Sequence, residues 1–294
     1  MTSAEIFDRG YRRFDGQRSG VLGAVRSVAW YTTESMLGIG RKGRHKVFPV
    51  LIAIIAFLPT VIIFGVIALF QEAGDAIRPD YYEFLGPSET FGFLLFAHFL
   101  YAAAVAPEAI VRDRRDGMLS LYLSTPLTRG TYLAAKSLAV AGTMAIVVYL
   151  PAFLLLLGYT IQGRGPDGPL EWVEVFAKLS LGGLLIVAAY CGFSLAISSI
   201  TDRRAFASVA VVIGLIGLSS VAAILVEVAG LSPSYYLLDP TASGFEAAIR
   251  LFGDRTEESA LGEMSTGLVT LGAIAWPILG FGVLIARYRK LAAV

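Results

Sequence analysis

The chain has 294 residues, 56% of them hydrophobic and 16% charged, with a formal net charge of +1 and a mean hydropathy of +0.68. This composition excludes a soluble globular domain and points to a membrane protein. The single cysteine, Cys191, lies in an apolar run, which excludes an intramolecular disulfide and any cysteine-based metal site.

Residues 1–20 are polar and rich in Gly and Arg. They lack the short apolar core and small-residue cleavage site of a secretory leader, so no cleavable signal peptide is expected. Residues 21–40 are moderately apolar but too short and polar to span. Val21, Leu22, Val25, Val28 and Ala29 fall near helical spacing. This pattern predicts a helix lying in the membrane interface, with Trp30 and Tyr31 at headgroup depth. The cluster RKGRHK (41–46) then faces anionic headgroups and closes a cytoplasmic N-terminal segment, 1–46.

A hydrocarbon core about 30 Å thick needs roughly 20 apolar residues per helix. Six spans are predicted at about 47–70, 90–110, 132–161, 177–200, 205–228 and 264–286, forming one transmembrane domain, 47–286, before a short tail, 287–294. The alternation of a membrane barrel strand is absent. With the N-terminus inside, 19 of the 24 Lys and Arg residues fall on the cytoplasmic side. Arg78, Arg164, Lys178, Arg250 and Arg255 remain outside. That asymmetry predicts an N-in, C-in topology in the cell inner (plasma) membrane.

The outer loops differ in character. Residues 71–89 carry five acids and one base, and 162–176 is short and rich in Gly and Pro. The third loop, 229–263, is the longest. Phe245, Ala248, Ile249 and Phe252 recur there at helical spacing and predict an amphipathic helix on or dipping into the outer leaflet. Such a loop either gates a path or only covers packing. On the inner side, Arg203 and Arg204 read as topology anchors.

Energy-coupling chemistry is scarce. No Gly-rich phosphate loop ending in Gly-Lys-Ser/Thr is present, so no nucleotide site is expected on this chain. No metalloprotease or hydrolase signature occurs, and the chain is not expected to be an enzyme. Ionisable groups inside spans mark proton- and ion-driven carriers. Here only His98 lies near mid-span and reads as a packing histidine, with Glu108 and Glu227 near span ends. Phe91, Phe93, Phe96 and Phe99 serve packing or a hydrophobic cargo equally well.

The most informative stretch is 108–136, EAIVRDRRDGMLSLYLSTPLTRGTYLAAK. Arg112, Asp113, Arg114, Arg115 and Asp116 form a charged knot, and Gly117 loosens the chain. Met118, Leu119, Tyr122 and Leu123 then make one apolar helical face, with Ser120 and Ser124 away from it. Thr125 and Pro126 suit an N-cap and first position of the next helix. An amphipathic helix of about two turns pinned by charges fits a groove on a partner; a solvated interfacial loop explains the same residues.

This segment resembles the cytoplasmic loop of ABC-2-type permeases, the membrane subunits of type-2 ATP-binding-cassette exporters. That pattern runs as an acid–base cluster, Gly-Thr-Leu-Glu, leucines, Ser/Ala-Thr-Pro, a basic residue and Gly-Lys. The chain supplies Asp113, Arg114, Asp116 and Gly117, then Leu119, Leu121 and Leu123, then Ser124-Thr125-Pro126, Arg129 and Lys136. It departs at Asp113 (usually Glu), Met118 (Thr), Ser120 (Glu) and Ala135 (Gly).

The resemblance implies an all-α integral membrane permease that dimerises with a second copy or a related permease, each half receiving one separate ATPase subunit. Asp113, Arg114, Arg115, Asp116, Gly117, Met118, Leu119, Tyr122 and Leu123 would form the coupling helix docked on that ATPase, with Arg114 and Arg115 pairing with its acids. ATP and Mg would bind the partner, none would bind this chain, and no nucleic acid is implied. A non-transporting membrane anchor or regulatory subunit, and a gradient-driven carrier, stay open as alternatives.

Overall fold

The fold is a computed structural model, which describes residue 16 and residues 19–40, 47–70, 80–86, 93–256 and 260–291. Every regular element among the described residues is helical. In chain order the helices are α1 (Gly20–Met36), α2 (Val47–Leu69), α3 (Phe93–Arg115), α4 (Leu119–Leu123), α5 (Arg129–Ile161), α6 (Pro169–Ser198), α7 (Arg204–Ala223), α8 (Ala242–Leu251), α9 (Ala260–Glu263) and α10 (Thr266–Leu291). Short 3-10 helices occupy Tyr81–Leu85 and Pro233–Leu238, and a π-turn at Ile224–Val228 extends α7.

Five stretches, Leu94–Arg115, Arg129–Ile161, Pro169–Ser198, Arg204–Val228 and Thr266–Lys290, are long and apolar enough to cross a membrane. The chain is therefore a multi-pass membrane protein. The first expected span falls on α2, whose apolar stretch Val50–Val66 is shorter. Several helices overrun their expected bounds, among them α10, which runs to Leu291. α3 continues to Arg115 because Arg112, Arg114 and Arg115 complement the negative end of its macrodipole. α5 begins at Arg129, three residues early. α6 begins at Pro169, where proline suits the first helical turn. The RKGRHK cluster (41–46), most of the first outer loop, and Phe91 lie outside the described residues.

Lipid tails compete for apolar surface as well as another helix does, so these helices are held by close packing and polar contacts. α3 is the central helix, 78% buried over its apolar window, against 22% for Arg204–Val228 and 28% for α10. α10 packs chiefly on α6. There Gly192 and Gly280 bring the two backbones together so closely that a Cβ on Gly280 would strike the Gly192 main chain. Pro107, Pro151 and Pro277 sit inside α3, α5 and α10, as membrane helices permit.

Two amphipathic elements pack on this bundle. α1 packs on α5 and α3 through Val28, Thr32 and Met36, a stripe one turn apart. Val21 and Leu22 are exposed, as are Trp30 and Tyr31, with Trp30 Nε1 donating to Glu34 Oε1 at 2.8 Å. The expected outer-loop helix is α8, and it packs against α6 and α10. Phe245, Ala248 and Ile249 are buried, and a Cβ on Gly182 of α6 would stand 2.8 Å from the Ala248 methyl. Small residues on both sides allow that approach. The buried Glu246 is satisfied by Arg250 Nε at 2.6 Å and the Thr256 hydroxyl at 2.7 Å. Arg250 in turn donates to the Met264 carbonyl at 2.8 Å, stitching α8 to the start of α10.

Candidate functional site

The C-terminal end of α3 sets the direction of α4. Gly117 adopts φ +66°, a conformation that costs an L-residue about 1–2 kcal/mol. The Met118 N–H reaches back to the Asp113 carbonyl at 2.8 Å and the Gly117 N–H to that of Arg114 at 3.3 Å. This paired closure satisfies carbonyls that would otherwise be orphaned and turns the chain sharply into α4. Gly117 therefore fixes a stop instead of loosening the chain.

Asp113, in the last turn of α3, is buried. Its Oδ2 lies 2.6 Å from Lys136 Nζ on α5 and accepts from the Tyr132 hydroxyl at 3.0 Å. The Lys136 side chain is only 2% exposed, and its ammonium lies 5.5 Å from the Tyr122 ring centroid and 5.6 Å from that of Tyr132. An ammonium this desolvated needs its anion, and the ring faces add attraction worth up to about 2 kcal/mol. Tyr122 stacks obliquely on Tyr132 at 5.3 Å, so α4 rests on the lid of a buried ion pair. Burial, and then the Asp113 charge, push the Tyr122 hydroxyl up to about 12, so it stays neutral.

Further contacts tie neighbouring elements to the same end of α3. Arg114 donates to the Ser199 and Thr201 carbonyls and meets Asp202 at 2.5 Å, gripping the turn between α6 and α7. Arg204, at the start of α7, reaches Glu108 at 2.7 Å. Arg112 donates to Ser35 of α1 at 3.0 Å.

The structure sorts the expected docking residues into two groups. Asp113 and Arg114 turn toward the chain itself, Asp113 to Lys136 and Arg114 to Asp202. Met118, Leu119, Tyr122 and Leu123 are half-buried, and Leu119 and Tyr122 pack on the core. The apolar face of α4 thus meets its own bundle. The outward face carries Arg115, Asp116, Gly117, Ser120, Leu121 and Ser124, with Leu121 58% exposed. Helical spacing groups residues on a face but does not say what covers it. The cap also moves. Thr125 Oγ1 donates back to the Tyr122 carbonyl at 2.6 Å, closing α4. Thr128 caps α5 instead, in a reciprocal box with Thr131.

Glu108, Arg204 and Asp202 do not stand out as site residues in the sequence. Their one signal is position, since charges at span ends beyond topology's need have to find partners. His98 is buried with its ring edge-on to Tyr190 at 5.8 Å, and Phe99 packs on the same tyrosine. Phe96 is exposed.

The family profile described as ABC-2 family transporter protein matches residues 13–290. The chain belongs to this family. No curated protein matches it significantly. An ABC-2 family member is the membrane-embedded permease of an ABC transporter and works with an ATP-binding subunit. In this permease a short helix, α4, follows α3 and rests through Tyr122 on Tyr132, beside the buried Asp113–Lys136 pair that joins α3 to α5.

Proposed function

We propose that this chain is the permease half of an ABC exporter. It spans the membrane six times with both ends inside, dimerises with a second permease, and takes one separate ATPase subunit per half. ATP and Mg are handled by that partner, and this chain contributes no catalytic group. The observation that carries the reading is α4, which shows an exposed Leu121 beside Arg115 and Asp116 while its other face is anchored over Asp113 and Lys136. An apolar residue ringed by polar and charged ones at a helix tip suits a cleft on a soluble subunit. Asp113, Arg114, Met118, Leu119, Tyr122 and Leu123 transmit the push, and Arg115, Asp116, Gly117, Ser120, Leu121 and Ser124 receive it.

The test is Leu121→Glu in the full chain, expressed with its native ATPase and purified by a tag on the permease. Membrane insertion and yield should be unchanged, and the co-purifying ATPase and vanadate-sensitive ATP turnover should fall by about tenfold or more, as for loss of a central anchor worth about 2 kcal/mol or above. Retention of the ATPase at wild-type stoichiometry and turnover overturns the assignment.

A further inference from the structure

Between the first turns of α5 and the last turns of α10 lies a cavity of about 460 Å³, within the range of about 300–1,000 Å³ typical of small-ligand sites. We propose that it binds one anionic phospholipid, the phosphate diester seated between Arg129 and Arg289 and an acyl chain laid along Leu133, Phe281, Leu284 and Ile285.

Three observations on the molecule support this. Both arginines are exposed and line the cavity together, although they come from opposite ends of the spanning region in sequence. The wall below them is apolar, so the recess is amphipathic along its length: two guanidinium forks at the mouth and hydrocarbon beneath. Guanidinium binds phosphate oxygens bidentately, and basic pockets between spanning helices are recognised lipid-headgroup sites. Finally, α10 packs chiefly on α6 and α8 and touches α5 only lightly, so the cleft between α5 and α10 is not closed by their own packing. A zwitterionic lipid brings its own cation toward the two arginines, and an inorganic phosphate leaves the apolar wall uncovered. Net negative charge and an acyl chain are both demanded.

The cavity opens at the same end of the bundle as the Asp113–Lys136 pair, and Tyr288 belongs to both, lining the recess while its ring lies 6.1 Å from that of Tyr132. A lipid seated there therefore touches the support of α4 without replacing any contact of the proposed ATPase-docking face. The proposal does not depend on which ATPase, if any, docks on α4.

The experiment is native mass spectrometry of the full-length chain in detergent, titrated separately with dioleoyl phosphatidylglycerol, dioleoyl phosphatidylcholine and inorganic phosphate. One phosphatidylglycerol should be retained per chain, outcompeting phosphatidylcholine. A basic side chain near a membrane surface contributes about fivefold, so Arg129→Gln with Arg289→Gln should weaken retention about 25-fold. Arg287→Gln, on the same helix end but outside the cavity, should leave it unchanged. Ala134→Trp, which fills the recess while keeping both arginines, should expel the lipid as well; a monodisperse elution profile shows that each variant folds. Equal retention of phosphatidylcholine, displacement by phosphate alone, or undiminished binding in the double arginine variant each overturns the proposal.

Discussion

Removing one member of the buried ion pair is the most direct test of how α4 is held. In Lys136→Met the methionine fills nearly the same space, but Asp113, with a side chain 11% exposed, loses the cation at 2.6 Å and keeps only the Tyr132 hydroxyl. A buried charge stripped of its partner costs about 3–5 kcal/mol. At roughly 2–4 °C per kcal/mol, that is a fall of about 6–20 °C in apparent Tm. Asp113→Leu should cost about as much, since it strands a lysine that is 2% exposed. The double variant Asp113→Leu/Lys136→Met removes both charges, and replacing an entire buried pair by apolar groups is often neutral. What remains is the Tyr132 hydroxyl without its acceptor, about 1–3 kcal/mol. The double variant should therefore unfold well above either single one, with a coupling energy of at least about 2 kcal/mol. Adding Tyr132→Phe should recover most of the rest. The assay is thermal unfolding of the full chain in detergent, measured as the monodisperse peak remaining after heating. Single variants that lose less than about 1 kcal/mol, or a double variant that loses the sum of the two, would refute the idea that this pair is desolvated and mutually dependent.

Two further substitutions probe the backbone. Gly117→Ala forces a Cβ onto φ +66°, so a loss of about 1–2 kcal/mol is expected, with faster hydrogen exchange at 118–123 showing that α4 has come loose. Gly280→Leu drives a side chain into the Gly192 main chain. Overpacking of about 1–3 kcal/mol should appear as a lower Tm, whereas Gly282→Leu, where a Cβ meets nothing within 4 Å, should be nearly silent.

Much of the architecture was legible because the membrane restricts the alternatives. Charge-free runs mark the spanning helices, and the 3.6-residue period around Phe245 marks α8 from sequence alone. What covers a face was not legible. The period that groups Met118, Leu119, Tyr122 and Leu123 is the same whether that face meets a partner or its own bundle, and here it meets the bundle. The α8 segment likewise reads as a helix on or dipping into the outer leaflet, and nothing local announces Gly182 on α6, whose missing side chain lets Ala248 approach. Ion pairs between distant segments were hidden for the same reason. Asp113 reads as part of a docking element, Lys136 as the charge at the start of a span and Arg204 as a topology anchor, until the fold brings Asp113 to 2.6 Å from Lys136 and Glu108 to 2.7 Å from Arg204. Pairs close in sequence lie within reach of local reasoning, as where Arg115 meets Asp116 at 3.0 Å on the exposed side and Arg112 lies 3.7 Å from Glu108 and from Asp116.

On the proposed function, the pairs between distant segments would let a five-residue helix, too short to be stable alone, pass on a push from a docked ATPase. The C-terminal end of α3 supplies Glu108, Arg112, Asp113 and Arg114, and these reach respectively α7, α1, α5 and the turn between α6 and α7. α4 leaves that end through a closed glycine cap and rests on Tyr132 through Tyr122. A displacement applied at Leu121 cannot be absorbed by bending α4 alone, because both its beginning and its inner face are attached to the same block. The desolvated Asp113–Lys136 pair makes the α3–α5 junction stiff, because parting it costs about 3–5 kcal/mol as a buried charge loses its partner; the Arg114–Asp202 and Arg204–Glu108 pairs, each with an exposed partner, add smaller ties. The displacement is therefore delivered to α3 and α5 together, and to the Arg204 end of α7 through Glu108. α7 is among the least buried of the spanning helices, so of the elements tied to the block it has the most freedom to move in response.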